Sequence, residues 1–127
     1  MRFDVDMNSD IAELFLDVRA FLVKEIEIYC EKAREKYSQN ITSYFCKEFS
    51  GGFCYLRTKD DYVHIGWFLG ASIKDDYGFL YGKGKTIRGH IIKSFDEIHK
   101  KAIKSFVEQT YVLLMQKDEL KKLKSKV

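Results

Sequence analysis

The run "DYVHIGWFLG" (61–70) alternates, with Val63, Ile65, Trp67 and Leu69 on one side of an extended chain, because successive side chains of a strand project to opposite faces. Just upstream, "FCYLRT" (53–58) follows the Gly51-Gly52 pair and is equally rich in β-formers. Two such runs joined by Lys59-Asp60-Asp61 predict an antiparallel hairpin. This hairpin constrains the fold more than any other stretch. A strand pair with one apolar face must lay that face against something else in the chain.

Helices on either side can supply the cover. Ser9 fits an N-cap, and Ile11, Leu14, Phe15, Val18, Phe21 and Leu22 recur at helical spacing. Ile26, Tyr29 and Ala33 continue the period, predicting a second helix or an extension of the first to about Tyr37, where "YSQN" (37–40) breaks it. "ITSYF" (41–45) then reads as a strand, and so does the stretch from Thr86 to Lys93 with Ile87, Ile91 and Ile92. Ser94-Phe-Asp-Glu97 matches a capping box, and Ile98, Ala102, Phe106 and Leu113 form a stripe behind it. The order helix, antiparallel strands, helix predicts one α+β domain over residues 1–127, with helices against one sheet and a basic helix end at 117–127.

Charge and cysteine content narrow the function. Of 22 Lys+Arg and 19 Asp+Glu, the segment from Lys117 onward holds five and two, so the rest of the chain is neutral and the net +3 belongs to the tail. A nucleic-acid binder carries its positive excess on the folded face that meets phosphate, so nucleic acid is not expected as a partner. The 127 residues hold no apolar run long enough for a membrane span, and the acidic start is no signal peptide; no membrane partner and a cytoplasmic location are expected. Cys30, Cys46 and Cys54 are odd in number and lack CxxC spacing, which predicts reduced thiols.

The stretch "YGKGKT" (81–86) ends like a phosphate-binding loop. The GxxxxGK(S/T) pattern requires glycine at 79, where Phe79 stands; Gly78 is one place early, and the loop's aimed amides tolerate no such slip. A helix should follow such a loop, whereas Ile87 to Ile92 reads as a strand. Nucleotide hydrolysis is therefore rejected, and Gly82 and Gly84 are expected to allow positive φ in a turn entering that strand. The functional alternative is that Lys83, Lys85 and Arg88, with the loop amides, bind an anionic group.

Around this loop the chain resembles a known family. "HIGWFLGASIKDDYGFLYGKGKTIRGHIIKS" (64–94) is similar to the bacterial YdhG-like domain of unknown function, with Gly66, Trp67, Phe68, Gly70, Ala71, Leu80, Gly82, Gly84, Lys85 and Arg88 where that pattern wants them. The chain departs from it in lacking any proline and in placing Gly89 between Arg88 and His90. The resemblance implies a curved antiparallel sheet of about four to five strands with flanking helices, and little chemistry. It also implies an intracellular iron-chaperone role, likened to frataxin.

Three functions follow as expectations. The first is a non-enzymatic binding module for an anionic small molecule or peptide: a sheet face with Tyr62 and Trp67 in its wall and Gly82, Gly84, Lys85 and Arg88 at its mouth. The second is iron binding, without any other cofactor, through the exposed carboxylates Asp60, Asp61, Asp75 and Asp76, with Asp4, Asp6 and Asp10 near the N-terminus. The third is a protein–protein adaptor, a homodimer among its forms, working through the C-terminal helix and its lysine tail. His64, His90 and His99 share no ligand spacing; His64 reads as a half-buried histidine, His99 as exposed, and a Cys54–His64–His90 site across strands is a geometric possibility. No catalytic motif is present.

Overall fold

The computed structural model describes residues 9–125. Helix α1 (Ser9–Ile26) leads into five strands, β1 (Ala33–Ser38), β2 (Ile41–Cys46), β3 (Gly52–Lys59), β4 (Tyr62–Trp67) and β5 (Arg88–Ile92), and helix α2 (Glu97–Ser125) closes the chain. The strands form one open antiparallel sheet in the order β1-β2-β3-β4-β5, so the α+β expectation holds. Asp4, Asp6 and the side chain assigned as the Ser9 cap lie outside the described residues.

The β3–β4 hairpin forms as its alternation requires. Lys59 pairs with Tyr62 across a two-residue turn, and Asp60 takes positive φ there, as tight hairpin turns demand. Opposed residues share a face, so Cys54, Leu56, Val63, Ile65 and Trp67 all point to one side and are fully buried beneath the helices. Phe15, Val18, Leu22 and Ile26 of α1 meet them there with Ala102, Ile103, Phe106 and Val107 of α2. Each large apolar side chain so buried contributes about 1.5–3 kcal/mol. A β-bulge at Tyr44/Phe45 opposite Phe53 lets both Phe53 and Cys54 enter this core.

Four local expectations need correction. Residues 33–38 are a strand, not a helix: α1 stops at Ile26, the amides of Ile28 and Tyr29 turn back to Glu25 and Ile26, and Gln39 and Asn40 take positive φ in a two-residue turn that zips β1 onto β2. Arg19 of α1 holds the strand by paired bonds to Glu35, one of them 2.8 Å from Nε, and the Tyr44 hydroxyl donates to the same carboxylate at 3.1 Å. Second, Cys30 and Cys46 form a disulfide, leaving Cys54 as the free and buried thiol. The expectation of three reduced thiols missed this because spacing in sequence says nothing about two residues brought together by a hairpin.

The third concerns α2, whose cap is Asp96 rather than Ser94. The Asp96 carboxylate accepts from the His99 amide at 3.4 Å, and its carbonyl receives the first helical bond from Lys100. Fourth, the buried stripe runs through Ala102, Ile103, Phe106, Val107, Thr110 and Leu114, while Ile98 is 49% exposed and Leu113 only partly covered. Beyond Leu114 the helix passes the sheet, tied to the loop after β2 by Ser50 Oγ donating to Asp118 at 2.7 Å. No described helix is long and apolar enough to cross a membrane.

Thiol titration under non-reducing conditions checks the cysteine assignment: no reaction in the native protein and one thiol per chain after denaturation. Three reactive thiols in the denatured, never-reduced protein would refute the disulfide. The bridge stabilises the fold by about 3 kcal/mol for a loop of this size.

Candidate functional site

The face of the sheet away from the helices has its own composition, set by the same register. Arg34 and Lys36 of β1, Phe45 of β2, Tyr55, Arg57 and Lys59 of β3, and Tyr62 and His64 of β4 all project there. The strands place no carboxylate on this side, because their one acidic residue, Glu35, lies opposite Tyr44 on the helix side. Tyr81 joins the face from outside the named strands, bridged to Gly89 of β5 by reciprocal backbone bonds of 3.0 and 2.8 Å.

Glycines seat the rings. A Cβ on Gly66 would lie 2.0 Å from the Tyr55 ring, one on Gly89 2.6 Å from Tyr81, and one on Gly52 2.6 Å from Phe45. Each glycine stands opposite the residue whose ring covers it, so the missing side chain is replaced by a cross-strand ring. The rings make a continuous row from Phe45 through Phe68, Tyr55 and His64 to Tyr81, with successive centroids 6.2, 5.9, 5.7 and 5.9 Å apart.

Arg57 is the chemical centre of this row. It is half-buried, and its Nε donates to His64 Nδ1 at 3.4 Å, which assigns the His64 proton to Nε2. Burial, reinforced by Arg57 and Lys59, depresses the His64 pKa to about 4, so the imidazole stays neutral beside the guanidinium. Burial lifts the Tyr81 phenol, which also feels Tyr62, Arg57 and Tyr55; these groups therefore converge electrostatically. Among the described residues no carboxylate pairs with Arg57. A guanidinium beside phenols and an imidazole, with no carboxylate partner among the described residues, can form charge-assisted hydrogen bonds to an anion.

A second cluster lies on the helix side. Trp67 Nε1 donates to His90 Nδ1 at 3.4 Å, and His90 Nε2 sits 3.0 Å from His99 Nδ1. Phe79 stacks on both imidazoles at 5.0 and 4.4 Å. The first bond makes His90 Nδ1 an acceptor, so His90 donates from Nε2 and His99 keeps its proton on its own Nε2. Burial, with His99 adding to it, pushes the His90 pKa down to about 3. His99 is thus half-buried and bonded rather than exposed.

The sequence-predicted residues scatter. Tyr62 lies on the open face, but Trp67 is fully buried on the other side of the same strand, so the two share no wall. Gly82 takes positive φ as expected, Gly84 does not, and Lys83 and Lys85 are exposed. Arg88 turns back on its own loop, donating to the carbonyls of Gly84 and, at 2.9 Å, Ile87; the loop is clamped by the residue expected to reach a ligand. Asp75 is spent on local structure, accepting from the amides of Tyr77, Gly78 and Leu80 at 3.1, 3.0 and 2.8 Å. Asp76 sits 3.9 Å from Lys74, Asp60 occupies the hairpin turn, and Asp61 lines a cleft with Asp10 and Lys93. The four aspartates are not gathered. Among the described residues the group spaced for a metal is Cys30, Cys46 and Glu48, two of whose ligands are already joined as a disulfide. His64 and His90 face opposite sides of the sheet, which separates the conceived Cys54–His64–His90 site.

Tyr55 and Tyr81 belong to the aromatic-rich stretch from 55 to 81 that the sequence offers for a sheet face, whereas Arg57 and Phe45 carry no functional expectation. A usable signal exists for Arg57, which with Tyr55 occupies the positions of "FCYLRT" out of phase with Cys54 and Leu56.

The histidines give stability a pH dependence. With His90 and His64 titrating near 3 and 4 in the folded state against about 6.5 unfolded, the unfolded chain holds more protons between these values. Their contribution is complete above pH 6.5 and is lost as pH falls toward 3. Urea unfolding at pH 7 and pH 4.5 should show the loss, and His90→Gln should make the decline shallower. An unchanged slope in the variant would contradict the burial of a neutral His90.

No protein-family model matches this chain, and no curated protein or solved structure does.

Proposed function

We propose that this chain is a non-enzymatic binding module, YdhG-like in residues 64–94, whose open sheet face takes an anionic ligand. The reading keeps the sheet-face pocket drawn from the sequence but moves its centre from Arg88 and Lys85 to Arg57. The observation that carries it is a half-buried guanidinium among Tyr55, Tyr62, His64 and Tyr81 that no carboxylate among the described residues pairs with. Holding a cation partly out of water costs free energy unless an anion compensates. The neutral His64 leaves that charge uncancelled and can offer its Nε2 proton only within its packed surroundings at Gly89. Arg57 and the phenols are the groups left to meet a ligand, charge-assisted bonds supplying affinity and rings supplying contact area.

Nuclear magnetic resonance titration with inorganic polyphosphate tests this. Amide shifts should centre on β3, β4 and Tyr81, and Arg57→Gln should weaken binding about tenfold, the scale of one hydrogen bond to a charged group, with little change in melting temperature. Shifts centred on Gly82–Thr86, or no saturable shifts, would refute the assignment.

A further inference from the structure

The row of rings specifies the ligand further. We infer that the open face binds single-stranded nucleic acid, its bases stacking along Phe45, Phe68, Tyr55 and Tyr81 and its phosphates meeting the flanking cations. This rests on the proposed anion-binding face and names the class of anion.

Three observations converge. The rings follow one another at steps of 5.7–6.2 Å, a spacing an extended single strand can match base by base, since every base has a π-face and stacking tolerates any sequence. The rings are also preorganised. Those of Phe45, Tyr55 and Tyr81 rest over glycines that admit no side chain beneath them, so little ordering entropy remains to be lost, and Tyr81 keeps 47% of its surface open. Finally, Arg34, Lys36, Arg57 and Lys59 share this face with no strand carboxylate. The described ion pairs use Arg19, Lys74, Lys100, Lys104 and Lys122 and leave those four cations for phosphate.

The neutral charge of the chain body argued against nucleic acid when read as a sum. Pleating sorts the charges: in a body neutral in total, the charged strand residues on the open face, Arg34, Lys36, Arg57 and Lys59, are all basic. Other occupants fit less well. A peptide added as a strand needs a free sheet edge, and this row crosses the middle strands. A second copy would bring like charge against like charge. A compact small anion would use Arg57 alone and leave the rest of the row without a role.

Fluorescence anisotropy with a labelled twelve-residue oligothymidylate, run beside inorganic polyphosphate and a duplex of equal length, tests the inference on the full chain. The single strand should bind more tightly than the duplex. Its log–log salt slope should be near −3, about −0.7 for each of four phosphates, and Arg57→Gln should make it shallower by about 0.7. Phe45→Leu and Tyr55→Leu should each weaken the oligonucleotide about fivefold or more while leaving polyphosphate affinity unchanged. Tyr81→Leu, at a more exposed position, serves should either variant misfold. If ring variants bind oligonucleotide as tightly as the parent, or the duplex binds as tightly as the single strand, the nucleic-acid inference fails while the anion-binding reading stands. Failure to bind either polyanion, or shifts confined to the lysine-rich end of α2, removes both.

Discussion

The register of β3 against β4 is the constraint on which the rest of the molecule depends. With Leu56 opposite Ile65 and Cys54 opposite Trp67, every apolar residue of the hairpin points toward α1 and α2. Sliding one strand by a single residue would exchange its faces: Arg57 and Tyr55 would enter the core and Leu56 would meet water. Burial of Val63, Ile65, Leu56 and Trp67 therefore fixes, as a by-product, where Tyr55, Arg57, Tyr62 and His64 must stand. The core and the candidate site are two readings of one register.

Glycine placement refines that arrangement. Gly66 and Gly89 oppose each other on neighbouring strands, a weak place for a sheet because neither offers a side chain to pack. Tyr55 and Tyr81 cover them, and the cover cannot be shared with a Cβ. This restores packing across the weak spot and at the same time fixes the orientation of two rings on the open surface. His64, between them, is dry enough to stay neutral and close enough to Arg57 to accept its Nε proton. The helix side treats its histidines differently: His90 and His99 are locked between Trp67, Phe79 and each other, an arrangement that positions the segment leading to Tyr81.

Residues 27–47 illustrate how context overrides local preference. Ala33, Arg34, Glu35 and Lys36 are good helix formers, yet they form the edge strand. Pairing with β2 satisfies the inward-pointing half of their backbone groups, Arg19 clamps Glu35 from α1, and Cys30 is bonded to Cys46 across the hairpin. None of these partners lies within a helical turn of its mate, so no periodicity count could register them. The same holds for Arg88, which looks free in a glycine-rich loop and is occupied by that loop's carbonyls.

Sequence alone determined the elements whose period is intrinsic: α1 through its apolar repeat, the β3–β4 hairpin through alternation and a turn, the strand after Thr86, and the long final helix. These rest on interactions between residues a few positions apart, which a string of letters displays. Tertiary structure decided what depends on pairing over distance: that Arg34–Lys36 extend rather than coil, that Cys30 meets Cys46, that the aspartates stay apart, and that Trp67 and Tyr62 face opposite ways. It also decided the charge pattern of the open face. Net charge adds without regard to direction, whereas the pleat gives each side chain one of two sides, and only the register says which.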